Sequence, residues 1–385
     1  MTTEALSSPA RRTQLQAWFA CGASALLPSS IAAVEKTHKN ELQAQSWKAF
    51  EAQFIQKDGR VISDDGARSH TYSEGQAYAL FFALIANDRP AFARILAWTQ
   101  NNLCQGDLSQ NLPAWLWGLQ DNQQWGVIDA NAASDADVWI AYTLLQAGRL
   151  WKQPSYTTLG KALAQLIVAK ECTEVPGLGL TLLPGPVGFA KEGKFRLNAS
   201  YSPLQLLQAL AQVDSRWNAI AQSSWKVITG SSPHGICADW VWFDGTQFSQ
   251  DVDGEAQGRG GYNAIRTYLW AGMLHTSSAF YQPQLQLLAP MAQLVQDRGA
   301  PPEYIDPWTL AVQGNGPAGF SAALLPFLQA QSRTQALQQQ LLRLQTQPVR
   351  PTAYYEQCLN YFSDAWRRGS FAFDAQGQLR LGASS

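Results

Sequence analysis

Two short segments place carboxyl groups beside aromatic and small residues, a combination that suits proton transfer to a bound ligand. In TYSEGQAY, Glu74 precedes Gly75, which permits close approach of a ligand, and Gln76 and Tyr78 can hydrogen-bond hydroxyl groups. In ASDADVWIAY, Asp135 and Asp137 flank one alanine. Both segments lie at predicted helix starts, where acidic side chains also serve as plain capping groups favoured by the helix dipole. The local pattern leaves both interpretations open.

Hydrolysis of a glycosidic bond is the chemistry that such carboxyl groups would serve. One carboxyl group donates a proton to the leaving oxygen, and the other attacks the sugar or activates a water molecule. Asp135 and Asp137 could steer that water or bind a sugar hydroxyl. The composition is compatible with a neutral, hydroxylated ligand, because the chain has 15 Trp residues and only 15% charged residues, against roughly 25% in typical domains. A formal net charge of -1 without a basic stripe argues against a nucleic-acid partner.

Neither a cofactor nor a metal ion is expected. The five cysteines and four histidines show no metal-ligand spacing, and no loop resembles a calcium-binding EF-hand. Four of the cysteines, Cys104, Cys172, Cys237 and Cys358, are widely spaced and are predicted to be buried thiols rather than a disulfide framework.

Apolar residues recur at helical spacing along nearly the whole chain, and no segment alternates for long enough to predict a strand. Twelve predicted helices pair into six hairpins, so we expect an all-α fold, an (α/α)6 toroid of six helical hairpins with long functional loops. The predicted helices are Leu42–Ile55, Glu74–Ala86, Pro90–Leu103, Asp135–Arg149, Pro154–Glu171, Tyr201–Val213, Arg216–Thr229, Ala264–Met273, Pro283–Arg298, Phe320–Ala330, Arg333–Leu344 and Tyr354–Arg368. The long connections are Gln105–Ser134, Thr173–Ser200, Ser231–Tyr262 and Gly299–Gly319, and connections of this length are usually functional.

The N-terminus has the order of features found in an export signal. Arg11 and Arg12 precede a mostly apolar run from Leu15 to Leu27, and small residues follow it. The apolar run is too short to span a bilayer as a helix. Residues 1–33 are therefore predicted to be an export signal and residues 34–385 a single domain. We expect a periplasmic or secreted protein without stable membrane insertion after signal removal.

Several segments together resemble glycoside hydrolase family 8, and more closely its members that accompany bacterial cellulose synthase. They run in the family's order from about Asp58 to Leu328 and include TYSEGQAYALFFALIANDR, LPAWLWG, ASDADVWIAYTLLQAGRLW, NASYSPLQLLQ and YNAIRTYLWAGM. The resemblance implies an (α/α)6 toroid that hydrolyses a β-1,4-glucan chain with inversion, in functional association with a cellulose synthase complex. It also implies that Glu74 is the proton donor and that Asp135 hydrogen-bonds the distorted central sugar.

Four further residues are candidates for contact with the substrate. By the resemblance, Tyr201 and Arg266 match residues that position the substrate or the base. Trp115 and Trp117 are candidates for stacking on sugar rings, and packing in the core is the alternative for each.

The sequence departs from the family at the position of its general base. The synthase-associated members carry Asp in a YDAIR segment, whereas this chain has Asn263, and an amide is not a useful base at neutral pH. Three interpretations stay open. The base comes from a neighbouring loop, or catalysis is lost and the chain only binds glucan, or Asn263 is an engineered substitution that traps substrate. The candidate replacement bases are Asp251, Asp253, Glu255 and Asp239. Chitosan or xylan in place of glucan is a further alternative within the family.

Overall fold

The computed structural model describes residues 46–63 and 69–382, and helices dominate them. The predicted helices are all present, with small differences at their ends, although residues 42–45 of the first one lie outside the described residues. In chain order the helices are α1 (residues 46–54), α2 (Ser73–Ile85), α3 (Arg89–Leu103), α4 (Ser134–Leu150), α5 (Pro154–Lys170), α6 (Leu204–Leu210), α7 (Arg216–Gly230), α8 (Ala264–Met273), α9 (Tyr281–Arg298), α10 (Ala318–Ala330), α11 (Thr334–Thr346) and α12 (Tyr354–Arg367).

Burial alternates along the helix order and separates two layers. Every residue of α8 is buried, and so is every residue of α2 except Glu74. In contrast, α11 buries only Ala336 and Gln340. A helix that is apolar on all sides belongs inside a protein, and a helix with one apolar stripe belongs on its surface. The even-numbered helices form an inner ring and the odd-numbered helices an outer ring, which confirms the predicted (α/α)6 toroid.

Aromatic side chains from four inner helices fill the centre of the ring. Phe362 of α12 packs against Phe82 of α2 with ring centroids 4.7 Å apart, and against Trp139 of α4 at 5.1 Å. Trp270 of α8 contacts both Trp139 and Phe362, at 5.3 Å and 5.1 Å. The last inner helix therefore closes onto the first through ring contacts, and the inner helices hold each other at fixed positions.

The long connections contain short strands that the sequence did not predict, although helices dominate the fold as expected. Strands of two to five residues cover too few positions for an alternating pattern to be recognised in the sequence. They form five small antiparallel sheets in the described residues, of which β6 to β9 make the largest. The strands are β1 (Thr71–Tyr72), β2 (Leu116–Leu119), β3 (Trp125–Asp129), β4 (Cys172–Val175), β5 (Gly179–Leu182), β6 (Ala190–Lys191), β7 (Lys194–Leu197), β8 (Val241–Phe243), β9 (Phe248–Gln250), β10 (Tyr304–Ile305), β11 (Val312–Gln313), β12 (Phe371–Phe373) and β13 (Leu379–Leu381).

Helix α6 is shorter than the predicted Tyr201–Val213. A 3-10 turn covers Ala199–Tyr201, and α6 begins only at Leu204. Ser202 has φ -121° and ψ 71°, outside the helical region, because the residue before a proline is disfavoured there. Tyr201 therefore lies in a turn ahead of the helix.

No helix among the described residues is both long enough and apolar enough to cross a membrane. The predicted export signal, residues 1–33, lies outside the described residues, and the predicted domain limits stay predictions.

Candidate active site

Glu74 stands at the end of the ring where α2 begins, and a neighbouring loop supplies its first partner. Strand β1 pairs with β2 so that Tyr72 lies opposite Leu116. This pairing lets the Ser73 backbone N–H donate to the Trp115 carbonyl oxygen at 2.9 Å. The indole Nε1–H of Trp115 then donates to Glu74 Oε1 at 3.2 Å. A local sheet pairing thus fixes one oxygen of the Glu74 carboxyl group.

Arg266 links three helices behind this carboxyl group. Its Nη1 donates to Asp135 Oδ2 at 2.7 Å and to the Tyr78 hydroxyl at 2.9 Å. Its Nη2 donates to Asn263 Oδ1 at 2.8 Å. The guanidinium carbon also lies 5.5 Å from the ring centroid of Tyr201. Because Arg266 belongs to α8, Asp135 to α4 and Tyr78 to α2, the guanidinium group ties together three inner helices at one end of the ring.

The charges around Glu74 and Asp135 give the two carboxyl groups different protonation behaviour. Burial and the nearby Asp135 carboxylate raise the pKa of Glu74 to about 7, while Arg266 and the Trp115 N–H oppose the rise. Burial also raises the pKa of Asp135, but the direct ion pair with Arg266 favours the carboxylate form and limits that rise. Glu74 can therefore hold a proton near neutral pH and release it to a ligand, as a general acid must.

A cavity of about 560 Å³ opens beside Glu74. Asn263 and Arg266 contribute to its wall, and five tyrosines supply aromatic surface that suits the C–H faces of sugar rings: Tyr72, Tyr78, Tyr262, Tyr354 and Tyr355. Among the described lining residues, Glu356 is the other carboxylate. Its Oε2 accepts a 2.8 Å hydrogen bond from the backbone N–H of Gly319, at the start of α10.

Within residues 46–63 and 69–382, no cluster of three or more His, Cys, Asp or Glu side chains is arranged to hold a metal ion. The cysteines found in these ranges are free thiols, of which Cys104, Cys237 and Cys358 are buried and Cys172 is half-buried.

The model of glycosyl hydrolases family 8 matches residues 15–369. The chain belongs to this family. It is 45% identical over 334 residues to an endoglucanase of Salmonella typhi, covering 87% of this chain and 89% of that protein. It is 42% identical over 375 residues to an endoglucanase of Xanthomonas axonopodis pv. citri, covering 96% of each. The crystal structure of endo-1,4-D-glucanase from Vibrio fischeri ES114 superposes with a TM-score of 0.79 at 40% identity, covering 88% of this chain and 98% of that one.

Six of the residues predicted from the sequence meet at one end of this family 8 ring, linked through Glu74 or through Arg266. Their functional roles stay predictions, but their proximity is a property of the fold. They are Glu74, Trp115, Asp135, Tyr201, Asn263 and Arg266.

Gln76 does not belong to this group, although it is only two residues from Glu74. It is fully buried. Its Oε1 accepts a 2.6 Å hydrogen bond from the Val61 backbone N–H, and its Nε2 donates to Thr99 Oγ1 at 2.9 Å. The amide therefore joins a loop to α3 and is already hydrogen-bonded on both sides, which does not fit the predicted contact with a sugar hydroxyl.

Trp117 and Asp137 also point away from the cavity. Trp117 lies opposite Thr71 in the β1–β2 pair and stacks on Trp125, with ring centroids 5.4 Å apart, beneath the Arg60 guanidinium group. Asp137 is fully buried in the first turn of α4, near Glu171, and has no exposed surface for a substrate. Trp117 is half-buried and lies outside the cavity beside Glu74, so its contact with a sugar ring stays a prediction.

Two of the candidate replacement bases already have structural hydrogen-bond partners, Asp239 through one of its oxygens and Asp251 through both. Asp239 Oδ1 accepts three backbone N–H groups at the start of α8, from Gly261, Asn263 and Ala264, at 2.8, 3.0 and 2.7 Å. Asp251 is buried, forms a salt bridge of 2.8 Å with Arg196, and accepts the Trp242 indole N–H.

The other two candidates, Asp253 and Glu255, lie at a second cavity. Its volume is about 690 Å³, and Asp251 and Arg196 line it as well. None of the four candidates is among the described residues that line the Glu74 cavity.

The sequence patterns did not mark Glu356. Tyr78, which was predicted with Gln76 to contact hydroxyl groups, does line the cavity, and its hydroxyl accepts a 2.9 Å hydrogen bond from Arg266. Glu356 lies beyond Leu328, where the segments that resemble the family end, and it reaches the cavity only because α12 packs beside α10. No local pattern marked it.

Proposed function

We propose that this chain hydrolyses internal β-1,4 linkages of glucan, with inversion, and that Glu74 donates the proton to the leaving oxygen. The observation that carries the proposal is a carboxyl group with a pKa of about 7 at the wall of an aromatic-lined cavity. A proton donor with a pKa near the working pH is protonated often enough to act and acidic enough to give up its proton. Relatives at 42–45% identity are named endoglucanase, which supports glucan as the substrate.

The neighbouring residues have distinct parts in this proposal. The Trp115 N–H fixes one oxygen of Glu74, so the other oxygen faces the glycosidic bond. Asp135, held by Arg266, accepts a hydrogen bond from a hydroxyl of the central sugar and favours its distorted ring. Tyr201 and the tyrosines of the wall bind the faces of adjacent sugars.

The proton acceptor for the attacking water is the second part of the proposal. Asn263 Oδ1 already accepts from Arg266, and its amide cannot take a proton. Glu356 supplies the carboxylate in the same cavity, with one oxygen on the Gly319 N–H and the other 3.9 Å from Arg350 Nη2. Inverting glycosidases leave room for a water molecule between two carboxyl groups, and Glu356 fills this role in place of the Asp of other members.

A glucan-binding protein without turnover is the second candidate function. One observation favours it, namely that the amide of Asn263 occupies the position of the family's base and is hydrogen-bonded in place. The cavity and its tyrosines would bind a glucan chain equally well in such a protein. Chitosan and xylan stay alternatives as ligands in either case.

The decisive experiment is turnover of carboxymethyl-cellulose and cellohexaose by the purified protein and four variants. We expect wild-type activity, and a loss of roughly 10²–10⁴-fold in kcat for Glu74→Gln and for Glu356→Gln. Exposed Glu255→Gln, at the second cavity, is the matched control and should retain activity. If the wild-type protein is inactive and Asn263→Asp is active, the proposed hydrolysis is wrong and the glucan-binding function takes its place. Faster turnover of chitosan or xylan would replace the substrate.

The location of the protein is a further part of the proposal. The chain is exported to the periplasm or secreted, and it acts beside a cellulose synthase complex. The charged, apolar and small residues of the N-terminus and the resemblance to synthase-associated members support this. Cell fractionation with and without residues 1–33, together with co-purification using a tagged synthase, tests it. Retention of the full-length chain in the cytoplasm would contradict the proposed export.

A further inference from the structure

Two buried carboxyl groups lie beside the active site without any role in the chemistry above. Asp137 is in the first turn of α4, and Glu171 directly follows the last turn of α5. Their exposed fractions are 0% and 1%. Because α4 and α5 form a hairpin, the start of one helix meets the end of the other, and the two carboxyl groups act on each other there.

No hydrogen-bond donor among the described residues stabilises these carboxyl groups. Within the described part of the chain, none of their four oxygens accepts a hydrogen bond from an N–H group or a hydroxyl group. No Lys, Arg or His side chain there forms a salt bridge with either of them. Two ionised carboxylates placed together without donors or counter-ions would repel each other and would both lose their hydration.

The charged groups that surround Asp137 and Glu171 make ionisation of both carboxyl groups still less favourable. Asp135 acts on both members, and Glu74 acts on Asp137, each as a source of negative charge. The thiols of Cys104 and Cys172 are neighbours, and burial holds the pKa of each well above its usual range. The pKa of both Asp137 and Glu171 is raised well above the ordinary value, chiefly by burial.

One proton resolves this conflict. A protonated carboxyl group donates to a carboxylate, and such a charge-assisted O–H···O⁻ hydrogen bond is short and strong. The proton belongs to the pair as a whole, because strongly coupled sites titrate in shared steps. The remaining negative charge lies near the N-terminus of α4, where the helix dipole favours it.

We propose that Asp137 and Glu171 share one proton and together act as positioning residues, which clamp the first turn of α4 and so hold Asp135 against Arg266. Asp135 is two residues from Asp137 in the same helical turn, so a shift of this turn moves its carboxylate away from the guanidinium group. The existence of the shared proton is independent of the proposed function. The contribution of Asp135 to glucan binding, in contrast, rests on the proposed function.

Infrared spectroscopy tests the shared proton without any need for activity. In the Glu74→Gln background, we expect the carbonyl stretch of a protonated carboxyl group to persist at neutral pH. It should disappear in Glu171→Gln and in Asp137→Asn, and it should persist in Glu174→Gln, which changes an exposed carboxyl group three residues away. A spectrum without this band, or a band unaffected by both pair variants, would overturn the proposal.

Thermal unfolding as a function of pH gives a second test. A carboxyl group whose pKa is raised in the folded state stabilises the fold below its unfolded pKa, and that stability is lost as pH rises towards the folded pKa. Wild type should therefore lose stability between about pH 5 and pH 8 more steeply than Glu171→Gln. The Gln amide donates to Asp137 at every pH and mimics the shared proton. Equal slopes for wild type, Glu171→Gln and Glu174→Gln would contradict the proposal.

Cellohexaose binding in the Glu74→Gln background tests the positioning role. Glu171→Ala should weaken binding roughly tenfold, because small misplacements of a site are costly. Glu171→Gln should restore binding, and Glu174→Ala should leave it unchanged. If Glu171→Ala binds like Glu174→Ala, the pair does not position Asp135. If the background protein does not bind glucan at all, the proposed function fails, while the infrared and unfolding tests still decide the shared proton.

Discussion

Arg266 Nη1 lies 2.7 Å from Asp135 Oδ2, and this ion pair joins two inner helices whose residues are 131 positions apart in the chain. The exposed fractions of the two side chains are 7% and 2%. A buried pair of this kind costs desolvation on both sides, so it is weak evidence for stability and stronger evidence for a constrained site. The guanidinium group of Arg266 holds both the carboxylate of Asp135 and the side-chain amide oxygen of Asn263.

Removal of the Arg266 side chain should destabilise the fold, because it leaves the buried carboxylate of Asp135 unpaired. We expect Arg266→Ala to lower the free energy of unfolding by about 3–5 kcal/mol, because Asp135 then has no counter-ion. Adding Asp135→Asn should recover part of this loss, and urea unfolding of the single and double variants measures it. Arg216→Ala is the control, since its pair with Asp214 is half exposed and worth at most about 1 kcal/mol. Equal costs for the two Arg variants would contradict the prediction.

The basic limb of the pH–rate profile should report Glu74. The acid form is the active one, so the rate should fall as pH rises through about 7, the pKa of Glu74. Trp115→Phe removes an N–H that favours the carboxylate, so the inflection should move to higher pH by about 0.5–1 unit. Trp117→Phe, which lies away from Glu74, should not move it. An inflection that moves to lower pH in Trp115→Phe would contradict this assignment.

Glu74 should also make the fold less stable at high pH. Its folded pKa is raised from about 4.5 to about 7, so its stabilising contribution is fully present below pH 4.5 and is lost as pH rises through 7. Glu74→Gln has no such loss. At pH 8 we expect it to exceed wild type by up to about 3 kcal/mol, from 1.4 kcal/mol per pKa unit. The two proteins should converge at pH 4, and a constant difference across this range would show that burial of Glu74 is not the cause.

Gly272 should tolerate no larger residue, because α8 and α10 touch there. A Cβ atom at Gly272 would lie 2.2 Å from the backbone nitrogen of Phe327, which cannot move without moving α10. We expect Gly272→Ala to destabilise the protein by about 1–3 kcal/mol or more, by overpacking. Gly299→Ala is a control for backbone strain alone, because Gly299 has φ 74° and open space around it; its cost should be about 1 kcal/mol. Thermal unfolding of both variants measures the difference.

Much of the ring could be predicted from the sequence, because helix formation is encoded locally. Apolar spacing placed α2, α4 and α8 within a few residues of their observed bounds. The resemblance to family 8 added Glu74, Asp135 and Arg266, and the fold brings these three together. Strands of two to five residues in the connections escaped prediction, since their partners are chosen by loop contacts.

The sequence by itself determined the helices, their order and the family, because periodicity and motifs are properties of adjacent residues. Only the tertiary structure decided which polar side chains face the cavity. Trp115, just ahead of β2, donates to Glu74, whereas Trp117 within β2 stacks on Trp125 of β3. Asp239 accepts backbone N–H groups at the start of α8, and Glu356 enters the cavity from the far end of the chain. Both outcomes depend on long-range packing, which no local pattern encodes.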